Sequence, residues 1–267
     1  MTEKSFLFVP GNRPERFDKA CASGADAVIL DLEDAVAPPG KDAAREAVRR
    51  WLDEGGRAWL RVNGTDTSWH QNDLPLLRLN GVLGVLLPKA EFPNELNALT
   101  SYIHGGIPLV PLIETAQGLW NAKELAMVAG VQRLAFGSVD FQVDLSIQGD
   151  EDELLFARSQ LVLASRVAGV LPPIDGVTVA IDDDAALQKD VACARRMGFG
   201  GKLCIHPRQV QAIQAGFRPT AGDLEWARRV IGTADASGHD AVRLEGKLVD
   251  KPVIDRARAL LREVSAA

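Results

Sequence analysis

The sequence predicts an α/β fold, a (β/α)₈ TIM barrel followed by a C-terminal helix–hairpin–helix extension. Three observations point there. Eight strand-like runs, each followed by a helical pattern, fit in about 215 residues, close to the ~30-residue spacing of a βαβ repeat. The runs are continuously apolar rather than alternating, as in a parallel sheet covered on its outer face. No Gly-rich nucleotide loop follows the first run, where FVPGNRPER stands instead. That counts against an open doubly wound sheet.

The units follow in order. Ser5 to Gly11 is the first run, closed by a Pro-Gly turn, with a helix expected after an Asn12 cap and Pro14. Ala27 to Asp34 (AVILDLED) is the second, ending in acids. A helix through Ala44, Ala47, Val48, Trp51 and Leu52 follows, with Gly55 at its end. Ala58 to Gly64 carries Arg61 near its end, and Gly84 to Glu91 carries Lys89. Leu109 to Thr115 ends in Glu114, and Arg133 to Phe141 is expected to deliver Asp140 from its carboxyl end. Pro172 to Val177 is the weakest strand pattern. An Asp182 cap is expected to open the next helix, and Lys202 to Val210 is the eighth strand, stopped by Pro207. The barrel is assigned to residues 1–220. Residues 221–267 are the extension: a helix from Asp223, a hairpin around Gly246 and a helix from Pro252. Too short to form a core alone, this tail is expected to pack on the barrel and on a neighbouring subunit.

A net charge of −6 argues against general nucleic-acid or anionic-membrane binding. The N-terminal apolar run is too short for a signal peptide, and no run approaches a membrane span. Cys21, Cys193 and Cys204 show no paired spacing and are expected as buried free thiols. The expectation is a soluble cytoplasmic protein.

Barrel active sites lie at the carboxyl ends of the strands. Glu33, Asp34, Arg61, Lys89, Glu114, Asp140 and His206 fall there. Glu114 and Asp140, on successive strands ~4.8 Å apart, can share one ion above the rim. Mg²⁺ suits one or two carboxylates plus water and substrate oxygens. Each acid alone could instead cap a helix or pair with Arg or Lys. Arg61 suits a fork-to-fork grip on a keto acid, or an ion pair with Glu33 or Asp34. Those two acids could orient metal-bound water or simply offset Arg61. Lys89 is either a Schiff-base nucleophile or an ion-paired lysine. His206 reads as a hydrogen-bonded residue rather than a ligand. Arg13, Arg16 and Lys19 form a basic helix face, either solvated or met by a polyanionic cofactor.

FVPGNRPERFDKA, ADAVILDLEDAV with Lys41 and Ala44-Arg45, LRVNG, LLPKAE, LIETAQG, FGSVDF and KLCIHPRQV stand in an order that resembles the citrate lyase β-subunit-like branch of the HpcH/HpaI aldolases. The resemblance implies a (β/α)₈ barrel holding Mg²⁺ (Mn²⁺ as the alternative) on Glu114 and Asp140. Arg61 would hold a keto acid, and Arg13 and Lys19 would bind CoA as part of the substrate. It implies a homotrimer or hexamer. In it, Asp250 of the GKLVDKP stretch would reach a neighbour's site as general acid/base. The implied activity is carbon–carbon cleavage of a β-hydroxyacyl-CoA of the citramalyl, malyl or citryl type. The alternatives are a subunit acting on an acyl-carrier-protein thioester and a metal-dependent aldolase on free keto acids. One departure is DLSIQGDED after Asp140, where many relatives read DLG.

Overall fold

A computed structural model describes residues 2–103, 106–236 and 241–265. Eight parallel strands close into a barrel in sequential order, β1 to β8. They are β1 Ser5–Pro10, β2 Ala27–Asp31, β3 Ala58–Arg61, β4 Val82–Leu87, β5 Leu109–Ile113, β6 Ala135–Phe136, β7 Ile174–Asp175 and β8 Gly201–Cys204. The barrel lumen is filled by Phe6, Ile29, Trp59, Leu86, Leu112, Ala135, Ile174 and Leu203. Phe6 and Trp59 meet edge to face at 5.7 Å. Arg133, just before β6, is 1% exposed. It donates to the carbonyls of Pro172 and Glu3 and lies over the Phe6 ring.

The helices between strands are α1 Phe17–Cys21, α2 Lys41–Asp53, α3 His70–Asp73, α4 Pro93–Thr100, α5 Ala116–Trp120, α6 Ala122–Ala126, α7 Ser138–Leu145, α8 Leu155–Ala168 and α9 Asp184–Met197. The amphipathic repeat in α2 buries Ala44, Val48 and Leu52 against the barrel wall. After β8 come α10 Pro207–Gly216, α11 Ala221–Ala236, the hairpin β9 Val242–Leu244 and β10 Lys247–Val249, and α12 Lys251–Ser265. Both residues of the hairpin turn, Glu245 and Gly246, have positive φ, as a two-residue turn matched to strand twist requires.

Several elements differ from expectation. Pro14–Arg16 form a 3₁₀ turn entered from Arg13 rather than an α-helix capped by Asn12. The cap of α9 is Asp183, not Asp182, and its side chain accepts from the Ala186 amide. Strands β6 and β7 have two residues each. At β7 the outward side chain is Asp175, buried between Lys202 of β8 (3.1 Å) and Arg158 of α8 (3.0 Å). An ion-paired layer there replaces the apolar one that makes other strands easy to read. Cys204 is buried, but Cys21 is exposed on its short helix.

Residues 3–214 form one compact unit, and those from 215 onward make up the bulk of a second. The second has a small core of its own, Ala227, Val230, Ala234, Val249, Ile254 and Ala257. Alanines on α11 and α12 let the two helices pack closely, which the expectation of a coreless tail missed. No helix among the described residues is long and apolar enough to cross a membrane.

Candidate active site

At the carboxyl-end mouth of the barrel lies a cavity of about 200 Å³. Asp31, Asp34, Glu114 and Asp140 line it, with Arg61 as the one cationic lining residue among those described. Apart from Ser138, the remaining wall is apolar. Phe8 comes from β1, Leu203 and Ile205 from β8 and its end, and Val177 from beyond β7. The barrel order therefore divides the cavity, with charge on the β2–β6 side and apolar surface on the β7–β8–β1 side.

Arg61 sits at the end of β3, in register with Asp31 of β2. Its Nε and one terminal nitrogen donate to the two Asp31 oxygens at 2.7 and 2.6 Å. The other terminal nitrogen lies 3.1 Å from Glu33. Two of the five guanidinium N–H groups donate to Asp31 and the nitrogen beside Glu33 makes an ion-pair contact, which still leaves two N–H groups, enough for one incoming carboxylate. The expected pairing with Glu33 is present, but the bidentate partner is Asp31. Asp31 also accepts the Glu33 and Ala35 amides. Burial raises its pKa, but Arg61's charge and hydrogen bonds outweigh that and hold it below the ordinary carboxylate value.

Beneath the acids, Lys41 is buried and donates to the carbonyls of Leu32 and Glu33 and to Asn63 Oδ1, at 2.6–2.7 Å. Asn63 is held by Asp73, and Asp73 by Arg45. This chain ties the loop after β2 to the loop after β3.

Glu114 follows β5 and is 2% exposed. It accepts the Lys89 backbone amide at 2.8 Å. Burial pushes its pKa up to about 8, against the pull of Arg61 and reinforced by Glu33 and Asp140. Asp140 was expected at a strand end. Instead β6 stops at Phe136, the chain turns at Gly137, and Asp140 sits in the first turn of α7. Gly137 is needed there because a Cβ would lie 2.2 Å from Glu114 Cγ and 2.4 Å from its Oε1. Its φ of −90° suits any residue. Gly137→Ala should therefore fold yet displace Glu114, weakening Mg²⁺ binding about ten-fold or more by analogy with disturbed metal-orienting contacts. Calorimetric Mg²⁺ titration checks this, and an affinity equal to wild type would contradict it.

Lys89 places its ammonium 2.6 Å from Glu33. Desolvation lowers its pKa, but Glu33 outweighs this and holds it above the ordinary lysine value. A permanently charged ammonium is a poor Schiff-base nucleophile. Asp34 is half exposed and 3.4 Å from Lys89. His206 is half-buried, and its Nδ1 accepts the Arg208 amide, as a local turn residue does. Arg13 and Lys19 are exposed, Arg13 just before the 3₁₀ turn and Lys19 in α1. Asp250 lies in the second unit at the start of α12. Its carboxylate accepts the Val253 amide at 3.4 Å and its carbonyl the Ile254 amide.

The donor set fits a divalent ion. Asp31, Glu33, Asp34, Glu114 and Asp140 are five carboxyl groups set against the cations Arg61, Lys89 and Lys41. With all ionised, the excess is two. Among the described residues no three His, Cys, Asp or Glu side chains come together closely enough to hold a metal ion. Any ion here draws on one or two protein carboxylates, with water and substrate oxygens completing its shell, as Mg²⁺ accepts. Asp31, Asn63, Asp73 and the clamping role of Lys41 were not singled out from the sequence. The signal available was an acid, Asp31, inside the apolar run AVILD.

The HpcH/HpaI aldolase/citrate lyase profile matches residues 4–207. A citrate lyase subunit beta-like protein of Deinococcus radiodurans is 36% identical, covering 97% of this chain and 96% of its own length. A (3S)-malyl-CoA thioesterase of Cereibacter sphaeroides is 34% identical, covering 98% and 95%. CitE of Mycobacterium tuberculosis, solved with magnesium, acetoacetate and coenzyme A, is 34% identical with a TM-score of 0.88 over 98% of both chains. With matches spanning the barrel and the residues of its mouth, the chain belongs to the HpcH/HpaI aldolase/citrate lyase family.

Proposed function

We propose that the protein is a Mg²⁺-dependent carbon–carbon lyase acting on a β-hydroxyacyl-CoA of the citramalyl, malyl or citryl type. Its products are a keto acid and a short acyl-CoA. The observation that carries this reading is the cavity mouth, which Glu114 and Asp140 share with an arginine that has two free N–H groups. Glu114 and Asp140 would hold Mg²⁺ or Mn²⁺, which supplies a positive centre for oxygen charge that develops during cleavage. Arg61's free N–H groups receive the carboxylate of the keto-acid half. Glu33 and Asp34 orient water and partner groups at the rim. A general base takes the hydroxyl proton, the bond between the hydroxyl carbon and the thioester α-carbon breaks, and its electron pair passes to the thioester as an enolate. Protonation at that α-carbon gives the acyl-CoA.

A cavity of about 200 Å³ takes the reacting end and not the whole of CoA. Arg13 and Lys19, exposed after β1, are suited to the CoA phosphates outside it. Asp250 is the candidate acid/base, delivered by the extension of a neighbouring subunit in a homotrimer or hexamer. We place the enzyme in the cytoplasm.

The test is product analysis by mass spectrometry with malyl-, citramalyl- and citryl-CoA, each with Mg²⁺ and with EDTA. Metal-dependent release of a keto acid and a shorter acyl-CoA is expected from at least one. Release of the intact hydroxy acid and free CoA would assign thioester hydrolysis instead, the activity named for the Cereibacter relative. No turnover of any ester by Mg²⁺-loaded protein would shift the reading to a carrier-protein thioester or a free keto-acid aldolase.

A further inference from the structure

Lys89 touches four of the five carboxylates of the site. Its backbone amide donates to Glu114 at 2.8 Å. Its ammonium lies 2.6 Å from Glu33, 3.4 Å from Asp34 and 3.8 Å from Asp140. It does so from a left-handed backbone, φ 48°, a conformation that is uncommon for a residue with a long side chain. Strain of this kind persists where the surroundings over-determine it, and it gathers at functional sites. Here the left-handed turn lets one residue present its amide to the acid after β5 and its side chain to the acids after β2. The side chain is 36% exposed, so burial does not force it into the cluster. Charge does.

We propose that Lys89 is the resident counter-cation of the acidic cluster, a positioning residue that holds Glu33 and Asp34 together and sets how tightly the cluster takes a divalent ion. The inference rests on the metal reading above. Without an ion, Glu33, Asp34 and Asp140 crowd the same ammonium, which offsets their mutual repulsion. With an ion on Glu114 and Asp140, the same ammonium stands beside the metal and opposes it. Lys89 thus keeps the apo site assembled and the ion exchangeable.

The charge makes a prediction of opposite sign to that of a simple tether. A lysine that only tethered the acids would, once removed, free them and weaken metal binding. A counter-cation, once removed, leaves a more negative cluster that binds Mg²⁺ more tightly. Lys89→Met and Lys89→Gln keep the stem and the backbone amide but lose the charge. Lys89→Arg keeps the charge.

Mg²⁺ titration calorimetry on metal-free protein, at one pH and ionic strength, separates the cases, with thermal unfolding as the folding control. Both neutral variants should bind Mg²⁺ about ten-fold tighter or more, and Lys89→Arg should stay within about two-fold of wild type. Equal or weaker binding by both neutral variants, with wild-type protein taking the ion, overturns this inference and leaves the metal reading standing. If wild type and variants alike take no Mg²⁺, the metal reading fails and the counter-cation role falls with it.

Discussion

Glu114→Gln is expected to abolish Mg²⁺ binding and to lower kcat/KM by about three orders of magnitude, since metal polarisation of oxygen supplies several kcal/mol. The substitution keeps the volume of a 2%-exposed side chain and an oxygen to accept the Lys89 amide. What it removes is the charge. In the metal-free protein that charge is unfavourable: burial pushes the Glu114 pKa up to about 8. The sign follows. A carboxyl whose folded pKa lies above its unfolded value of ~4.3 contributes stability that is full below the unfolded value. That contribution is lost as pH rises through about 8. Its size is a few kcal/mol in order of magnitude. Metal-free wild type should therefore lose stability between about pH 5 and 8 relative to Glu114→Gln. Added Mg²⁺ should restore it in wild type alone. Mg²⁺ affinity of wild type should rise with pH until near 8, where the proton no longer competes. Thermal unfolding of both proteins across this range, with and without Mg²⁺, reads all three effects. Parallel profiles, or a variant that still binds Mg²⁺, would remove Glu114 from the metal site.

Glu114 was legible in the sequence because it ends an apolar run, and a parallel barrel reads as apolar runs with chemistry at their ends. The same logic found Arg61, Lys89 and the Glu33–Asp34 pair. It failed where the backbone leaves the regular pattern. Asp140 was placed on a strand, but β6 ends four residues earlier and a turn at Gly137 hands the acid to α7. Lys89 was visible as a lysine, but its left-handed backbone is set by the contacts it makes. Lys41 and Asn63 are 22 residues apart and meet only because adjacent strands bring their loops together. No spacing rule connects them. Asp175 shortened a strand pattern because its partners, Arg158 and Lys202, are 17 and 27 residues away. Tertiary pairing makes each of these residues tolerable, and single-sequence periodicity does not carry tertiary pairing.

Asp31 is the sharpest case, because it lies inside an apolar run and is fully buried. Asp31→Asn should destabilise the protein by about 3–5 kcal/mol, the range for leaving one member of a buried ion pair without its partner. The neutral amide cannot accept two charge-assisted bonds from Arg61, and one of its atoms becomes a donor facing a donor. It also accepts less strongly from the Glu33 and Ala35 amides, which Asp31 holds at 2.9 and 3.1 Å. Activity should fall further than stability alone explains, because Arg61 then has no fixed plane in which to present its two free N–H groups. The pH dependence has a defined sign. Asp31's folded pKa lies below its ordinary value. Its contribution is therefore present above the unfolded value of ~3.9 and is lost as pH falls through the lower, folded one. The destabilisation of Asp31→Asn relative to wild type should accordingly shrink in acid. A double variant, Asp31→Leu with Arg61→Met, removes both charges and should recover much of the stability lost in the single one. It should remain inactive, since the carboxylate-binding fork is gone. Denaturant unfolding of the three variants, read beside keto-acid release, separates the two roles. If Asp31→Asn keeps both its stability and its kcat/KM, the pair is not what fixes Arg61, and the hold on that side chain must come from Glu33.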